Sequence, residues 1–67
     1  MKIILNNNNY ETESTTLSVT ELLAEKKFTF KMLIIKINGK IVKREDYETT
    51  MIADGDIVEV IHLISGG

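Results

Sequence analysis

The sequence of 67 residues contains no cysteine, no proline and no tryptophan, and His62 is its single histidine. Without cysteine no disulfide bond can form, and one histidine is too few for the four-ligand zinc sites that stabilise many small domains. At this size folding hides only about 60% of the surface that the unfolded chain exposes. We therefore expect a small core built by regular secondary structure, with no metal site.

A basic face and a long apolar run are also missing. The formal net charge is −2, and lysines alternate with acids along the chain. Nucleic-acid binding needs a face that neutralises several phosphates, so we expect no nucleic-acid partner. The apolar run at residues 3–5 is far too short for a signal peptide or a membrane span. We expect a cytoplasmic protein that does not bind membranes.

The first part of the chain predicts a β-hairpin. "KIILN" at residues 2–6 is rich in β-branched residues, and "YETE" at residues 10–13 alternates in polarity. Between them "NNNN" at residues 6–9 is typical of a loop, because asparagine tolerates left-handed backbone angles and bonds to its own backbone.

A helix is predicted from the segment "LSVTELL" at residues 17–23. Ser18 precedes Glu21 by three residues, which is the spacing of a capping box, and Leu17 and Leu22 stand at the positions of a hydrophobic staple. The helix should therefore begin at Val19. Its apolar residues share one face, which predicts that it packs on a sheet.

Two further strands follow. The helix should end near Lys27, where lysine charges suit the negative end of the helix dipole. "MLIIKI" at residues 32–37 is nearly all apolar, as in a central strand covered on much of both faces. Asn38 and Gly39 accept the positive φ angles of a type I′ turn, after which "KIV" returns as a short strand.

The last third predicts a surface connection and a closing strand. Residues 43–51 are polar and irregular, with room for one helical turn, and Tyr47 and Met51 are the expected anchors to the core. "ADGD" at residues 53–56 is a turn, and "IVEVIHLI" at residues 57–64 is the last strand.

This order of elements favours an α+β architecture, the β-grasp or ubiquitin-like fold. A mixed sheet of about five strands should wrap one main helix, with the first and last strands parallel in its middle. We expect a single domain over residues 1–67, whose residues 64–67 form a flexible C-terminal tail. A ferredoxin-like fold would need a second full helix, for which residues 43–52 have too little apolar periodicity.

The closing strand carries more apolar residues than one face needs. If Val58 and Val60 face the core, alternation turns Ile57, Ile61 and Leu63 to solvent as a docking patch for a partner. The alternative is a shifted register in which these residues fill the core. His62 is interpreted as an outward position on the strand, without a catalytic role.

The tail residues Ile64, Ser65, Gly66 and Gly67 suggest a chemical use for the terminus. A terminal carboxylate is ionised at neutral pH and can attack the α-phosphate of ATP. Glycine has no Cβ and can pass a narrow channel, and four extended residues reach roughly 13 Å. We therefore expect Gly67 to be the reacting residue and residues 64–66 to thread into a partner.

Four motifs carry a resemblance to a known family: "TELL", "INGKIVKRE", "DGD" and the final "ISGG". In this order and near this spacing, the whole chain resembles the ThiS family of sulfur carriers of thiamin biosynthesis. Two positions depart from the family pattern: Lys43 stands where a proline is common, and Tyr47 lies near the position of a frequent tryptophan.

The resemblance implies a protein cosubstrate rather than an enzyme. A ThiF-type adenylating enzyme would use ATP to activate Gly67, and a persulfide sulfur would convert it to a thiocarboxylate. Thiazole synthase would receive the sulfur. No cofactor is expected to bind the carrier itself. Two other functions remain open: a MoaD-like small subunit of molybdopterin synthase, which shares the fold and tail, and a ubiquitin-like modifier of proteins.

Overall fold

The computed structural model describes residues 1–28 and 32–63. Its described residues contain one α-helix, α1 (Val19–Glu25), one 3₁₀ turn (Arg44–Asp46) and seven strands. The strands are β1 (Lys2–Leu5), β2 (Asn8–Glu11), β3 (Leu17–Ser18), β4 (Leu33–Ile37), β5 (Lys40–Val42), β6 (Met51–Ile52) and β7 (Ile57–His62).

Five of these strands form a mixed sheet in the order β2-β1-β7-β4-β5. The first and last strands, β1 and β7, run parallel at its centre, whereas the other neighbours in this sheet are antiparallel. The helix α1 supplies Val19 and Leu22 to the core, which otherwise consists mainly of inward side chains of the strands. The predicted β-grasp fold is confirmed.

The entry of α1 is the capping box that the sequence predicts. The backbone N–H of Glu21 donates to Ser18 Oγ at 3.1 Å, and the Glu21 carboxylate accepts from the backbone N–H of Ser18 at 2.8 Å. Leu17 and Leu22, at the staple positions, are both buried in the core. Local sequence therefore determines where this helix begins.

The exit of α1 differs from the prediction. The helix ends at Glu25 rather than near Lys27, and Lys27 takes a left-handed conformation with φ of 56°. The N–H of Phe28 donates to the carbonyl of Leu23 at 2.9 Å, which closes the helix as a Schellman motif. The helix stops early because the chain turns here and brings the partly buried Phe28 against the core.

The first hairpin loop is shorter than predicted. Only Asn6 and Asn7 form the turn, with φ of 49° and 66°, and Asn8 already belongs to β2. A two-residue turn with both φ angles positive matches the twist of a hairpin better than a four-residue loop does. The second predicted turn is confirmed, since Asn38 and Gly39 have φ of 51° and 84°.

A second, two-stranded sheet was not predicted from the sequence. In it β3 pairs antiparallel with β6, with Leu17 opposite Ile52 and Ser18 opposite Met51. Ile52 is buried, whereas Met51 is 51% exposed. The prediction of Met51 as a core anchor was therefore wrong by one position, because strand alternation points its neighbour inward. Tyr47, the other predicted anchor, does pack against the core.

Candidate functional site

The closing strand has the first of the two registers that the sequence left open. Val58 and Val60 point into the core with 0% and 8% exposure, whereas Ile57, Ile61 and Leu63 are 51%, 36% and 40% exposed. The shifted register, in which these three residues would fill the core, is therefore wrong. Strand β7 ends at His62, which is exposed. The predicted strand extended to residue 64, but Leu63 is already outside the strand. The docking role of the three apolar residues stays a prediction.

Neighbouring strands enlarge this apolar surface. Ile57 lies beside Ile4 of β1, and Ile61 lies opposite Ile34 of β4; both partners are half-buried. Between these two isoleucine pairs, Glu59 stands opposite Lys36. The solvent face of the sheet thus has apolar ends and a charged middle. We call Ile4, Ile34, Ile57 and Ile61 the isoleucine face.

Sequence reasoning missed Ile34 because it treated β4 as covered on much of both faces, and it missed Ile4 because it assigned no faces to β1. The described residues contain a single helix, and one helix covers one face of a sheet. Ile35 is fully buried on the face of the sheet that α1 covers, whereas its neighbour Ile34 is only half-buried. Because the sequence predicts one main helix, it already indicated that one face of the sheet stays uncovered.

A groove of about 630 Å³ opens where the described part of β7 ends. Side chains of α1, β4, β5 and the following turn line it, among them Phe28, Ile34, Ile41 and Tyr47. Leu63 is part of the same lining. The residue from which the tail departs therefore borders both an apolar groove and the isoleucine face.

Backbone and side-chain bonds fix β7 along its length. On the β4 side the strands pair from Ile37 opposite Val58 to Leu33 opposite His62, and the N–H of Leu63 donates to the carbonyl of Met32 at 3.0 Å. This pairing continues to the last residue before the tail. The body of the domain thus holds Leu63 in a defined place.

The predicted reacting and threading residues Ile64, Ser65, Gly66 and Gly67 lie outside the described residues. The structure does place their attachment point, since they follow directly after Leu63. Four residues extended from that point reach roughly 13 Å. Their roles stay predictions.

The acids of the turn before β7 have structural partners. Asp54 accepts a hydrogen bond from the backbone N–H of Lys2 at 2.6 Å, and Asp56 accepts one from the N–H of Ala53 at 2.8 Å. These contacts fit the prediction that "ADGD" at residues 53–56 is a turn. Over residues 1–28 and 32–63, no three His, Cys, Asp or Glu side chains are grouped so that they could hold a metal ion.

Comparison with known proteins decides the family. The sequence pattern of the ThiS family matches residues 3–67. The chain belongs to the ThiS family. This match includes the four motifs and all of the described fold except residues 1 and 2.

Individual ThiS proteins agree with this assignment. The sulfur carrier protein ThiS of Bacillus subtilis (strain 168) is 29% identical over 63 residues, which are 94% of this chain and 96% of that protein. The crystal structure of the thiamine biosynthesis protein ThiS from Geobacter metallireducens superposes with a TM-score of 0.89 at 30% identity, with all of both chains covered. The solution NMR structure of a thiamine biosynthesis protein from the same organism gives 0.81 at 30% identity, over all of this chain and 88% of that one.

None of the helices in the described part of this ThiS-family chain has the length and apolarity needed to cross a membrane.

Proposed function

We propose that this chain is a sulfur carrier of thiamin biosynthesis whose sulfur is carried on Gly67. The observation that supports this most strongly is a ThiS-family domain in which Gly66 and Gly67 lie four and five residues after His62, the last residue of β7. The protein is a cosubstrate in this proposal. It acts in the cytoplasm and binds no cofactor itself. The ATP is used by its activating enzyme.

The proposed chemistry has three steps. A carboxylate oxygen of Gly67 attacks the α-phosphorus of ATP, and pyrophosphate leaves, which gives an acyl-adenylate. The terminal sulfur of a persulfide attacks the activated carbonyl and displaces AMP. A second thiol then cleaves the S–S bond of this acyl disulfide, leaving a thiocarboxylate on Gly67 and a disulfide elsewhere. No side chain of the carrier takes part in these bonds.

The body of the domain provides the binding energy for this chemistry. Ordering a tail costs about 1–2 kcal/mol per residue, and glycine loses the most freedom. Contacts of the globular body with its partners must offset that loss. Ile57, Ile61 and Leu63 are exposed beside the tail and are suited to this role. We infer that they dock on a ThiF-type adenylating enzyme and on thiazole synthase.

The intact mass of the protein purified from its own host tests the carrier function. We expect a fraction whose mass corresponds to the replacement of one terminal oxygen by sulfur. This fraction should disappear after mild hydrolysis, because water converts a thiocarboxylate to a carboxylate. An isopeptide adduct on another protein would instead indicate a ubiquitin-like modifier.

Partner capture distinguishes the two sulfur pathways. We expect thiazole synthase to co-purify with the carrier. Capture of the large subunit of molybdopterin synthase without thiazole synthase would contradict the thiamin assignment and favour the MoaD-like function. The fold and tail are common to both functions, so the partner is the measurement that separates them.

Ile61→Lys is expected to weaken docking. The substitution removes an apolar side chain that the partner would bury and places a charge in the apolar contact. The KM of the carrier in adenylation should therefore rise about tenfold or more. The measurement is ATP–pyrophosphate exchange with a ThiF-type enzyme at saturating ATP.

Met51→Lys is the matched control for that variant. Met51 is also an exposed apolar strand residue, but it lies on β6 in the smaller sheet. The same change in charge there should leave KM within about twofold of the original protein. Equal KM values for the two variants would show that docking does not use the isoleucine face.

A further inference from the structure

The side chain of Asn6 makes a long-range contact with the strand that carries the tail. Its Oδ1 accepts a hydrogen bond from the backbone N–H of Val60 at 2.8 Å, in a partly buried position. Asn6 is the first residue of the turn between β1 and β2, and its φ of 49° is left-handed. Asparagine is one of the few residues besides glycine that tolerate this conformation.

This contact extends the pairing of β7 beyond the end of β1. The parallel register joins Ile4 to Ile57 and Leu5 to Val58, and the N–H of Asn6 donates to the carbonyl of Val58 at 3.0 Å. At Asn6 the main chain turns away into β2. The side-chain oxygen then accepts the N–H of Val60, which the next carbonyl of a longer β1 would otherwise accept.

A second asparagine makes the same kind of contact at the other end of β7. Asn38, also first in a two-residue turn with positive φ, accepts the N–H of Ile57 through Oδ1 at 2.9 Å. Its Nδ2 donates to Asp56 at 3.0 Å. Asn38 therefore fixes the beginning of β7, and Asn6 fixes its fourth residue, three positions before Leu63.

We propose that Asn6 is a positioning residue for the proposed sulfur transfer: its bond to Val60 holds the end of β7, and with it Leu63, in the place from which the attached terminus enters a partner. This inference depends on the carrier function proposed above. Past Val58 the described backbone pairs β7 only with β4. Past Val60 the register with β5 also ends, so β4 and β7 continue as a two-stranded ribbon, which twists more than a sheet interior. The Asn6 bond restrains that twist on the opposite side of β7. A fixed attachment point at Leu63 reduces the entropy that is lost when the terminus inserts into a partner.

The test compares Asn6→Gly with Asn38→Gly. Glycine keeps the positive φ of each turn and removes only the side-chain contacts with β7 and its preceding turn. Both variants should lose comparable stability in urea unfolding. Amide hydrogen exchange should speed up at Val60 in the first variant and at Ile57 in the second.

Adenylation kinetics with a ThiF-type enzyme then separate positioning from folding. For Asn6→Gly we expect kcat to fall about three- to tenfold, the range of one hydrogen bond, with KM unchanged because the docking surface is intact. For Asn38→Gly we expect kcat within about twofold of the original value. Asn6→Asp keeps an acceptor oxygen at the same place and should restore most of kcat.

The outcomes distinguish a failure of the carrier function from a failure of the positioning role of Asn6. If the unaltered protein supports no pyrophosphate exchange, the carrier function is wrong. Faster amide hydrogen exchange at Val60 in Asn6→Gly would still show that the Asn6 side chain holds Val60. If the unaltered protein is active and Asn6→Gly keeps its full kcat while Val60 exchanges quickly, the positioning role is overturned. Should Asn6→Gly not fold, Asn7→Gly is compared with the double variant Asn6→Gly/Asn7→Gly, because Gly-Gly is a favoured turn of this type.

Discussion

Deletion of Gly67 is expected to abolish ATP–pyrophosphate exchange with a ThiF-type enzyme while leaving the fold intact. The deletion moves the terminal carboxylate back by about 3.3–3.6 Å along an extended tail. Reacting atoms must come within about 3–3.5 Å of each other, and a displacement of 1 Å alone can reduce a rate about 100-fold. A loss well beyond 100-fold is therefore expected.

Two controls define what the deletion removes. Urea unfolding should be unchanged, since the buried residues of the described core lie within residues 3–60. The shortened protein should still compete with the original for the activating enzyme, because its docking surface remains.

Gly67→Ala is the matched variant for length. It keeps the carboxylate in place and adds one Cβ, so the expected loss of exchange reflects the width of the partner's channel rather than the reach of the tail. Undiminished exchange after deletion of Gly67 would contradict the proposed chemistry, because the reacting carboxylate would then not be that of this residue.

Leu22→Ala is expected to cause the largest loss of stability. Leu22 is fully buried on the face of α1 that packs on the sheet. Truncation of a buried leucine typically costs about 2–5 kcal/mol. A domain of this size has about 3–10 kcal/mol of unfolding free energy in total. The variant should therefore lose a large fraction of its stability and show a much lower urea midpoint.

Leu23→Ala, at the next position of the same helix, is the control for helix propensity. Leu23 is only half-buried, at the edge of the core beside the groove. The same chemical change should cost about 1 kcal/mol, mainly from lost partial burial. Equal costs for the two variants would mean that α1 does not present Leu22 to the core as the structure shows.

The sequence alone determined the features that depend on neighbours in the chain. The capping box of Ser18 and Glu21 bonds residues three positions apart, and the turn at Asn38 and Gly39 needs only two residues that accept positive φ. Alternation along β7 likewise placed Ile57, Ile61 and Leu63 on one face of the strand, but it left open whether that face is exposed or buried. Such features are readable because the chemistry that produces them is local.

The family resemblance was also contained in the sequence, since short motifs in a fixed order carry it. "INGKIVKRE" contains the turn between β4 and β5, and "DGD" forms the turn between β6 and β7. The matched family extends over residues 3–67. The order of elements then sufficed to predict a sheet with parallel strands at its centre.

Only the tertiary structure decided the features that join distant parts of the chain. The pairing of β3 with β6 buries Ile52 instead of Met51, and nothing in residues 43–51 indicates the partner strand. The contact of Asn6 with Val60 spans 54 positions. A turn asparagine looks the same in sequence whether its side chain faces water or a strand, because its partner is set by how the sheet assembles. The strands adjacent in space, not those adjacent in the chain, therefore determine how the base of the tail is held.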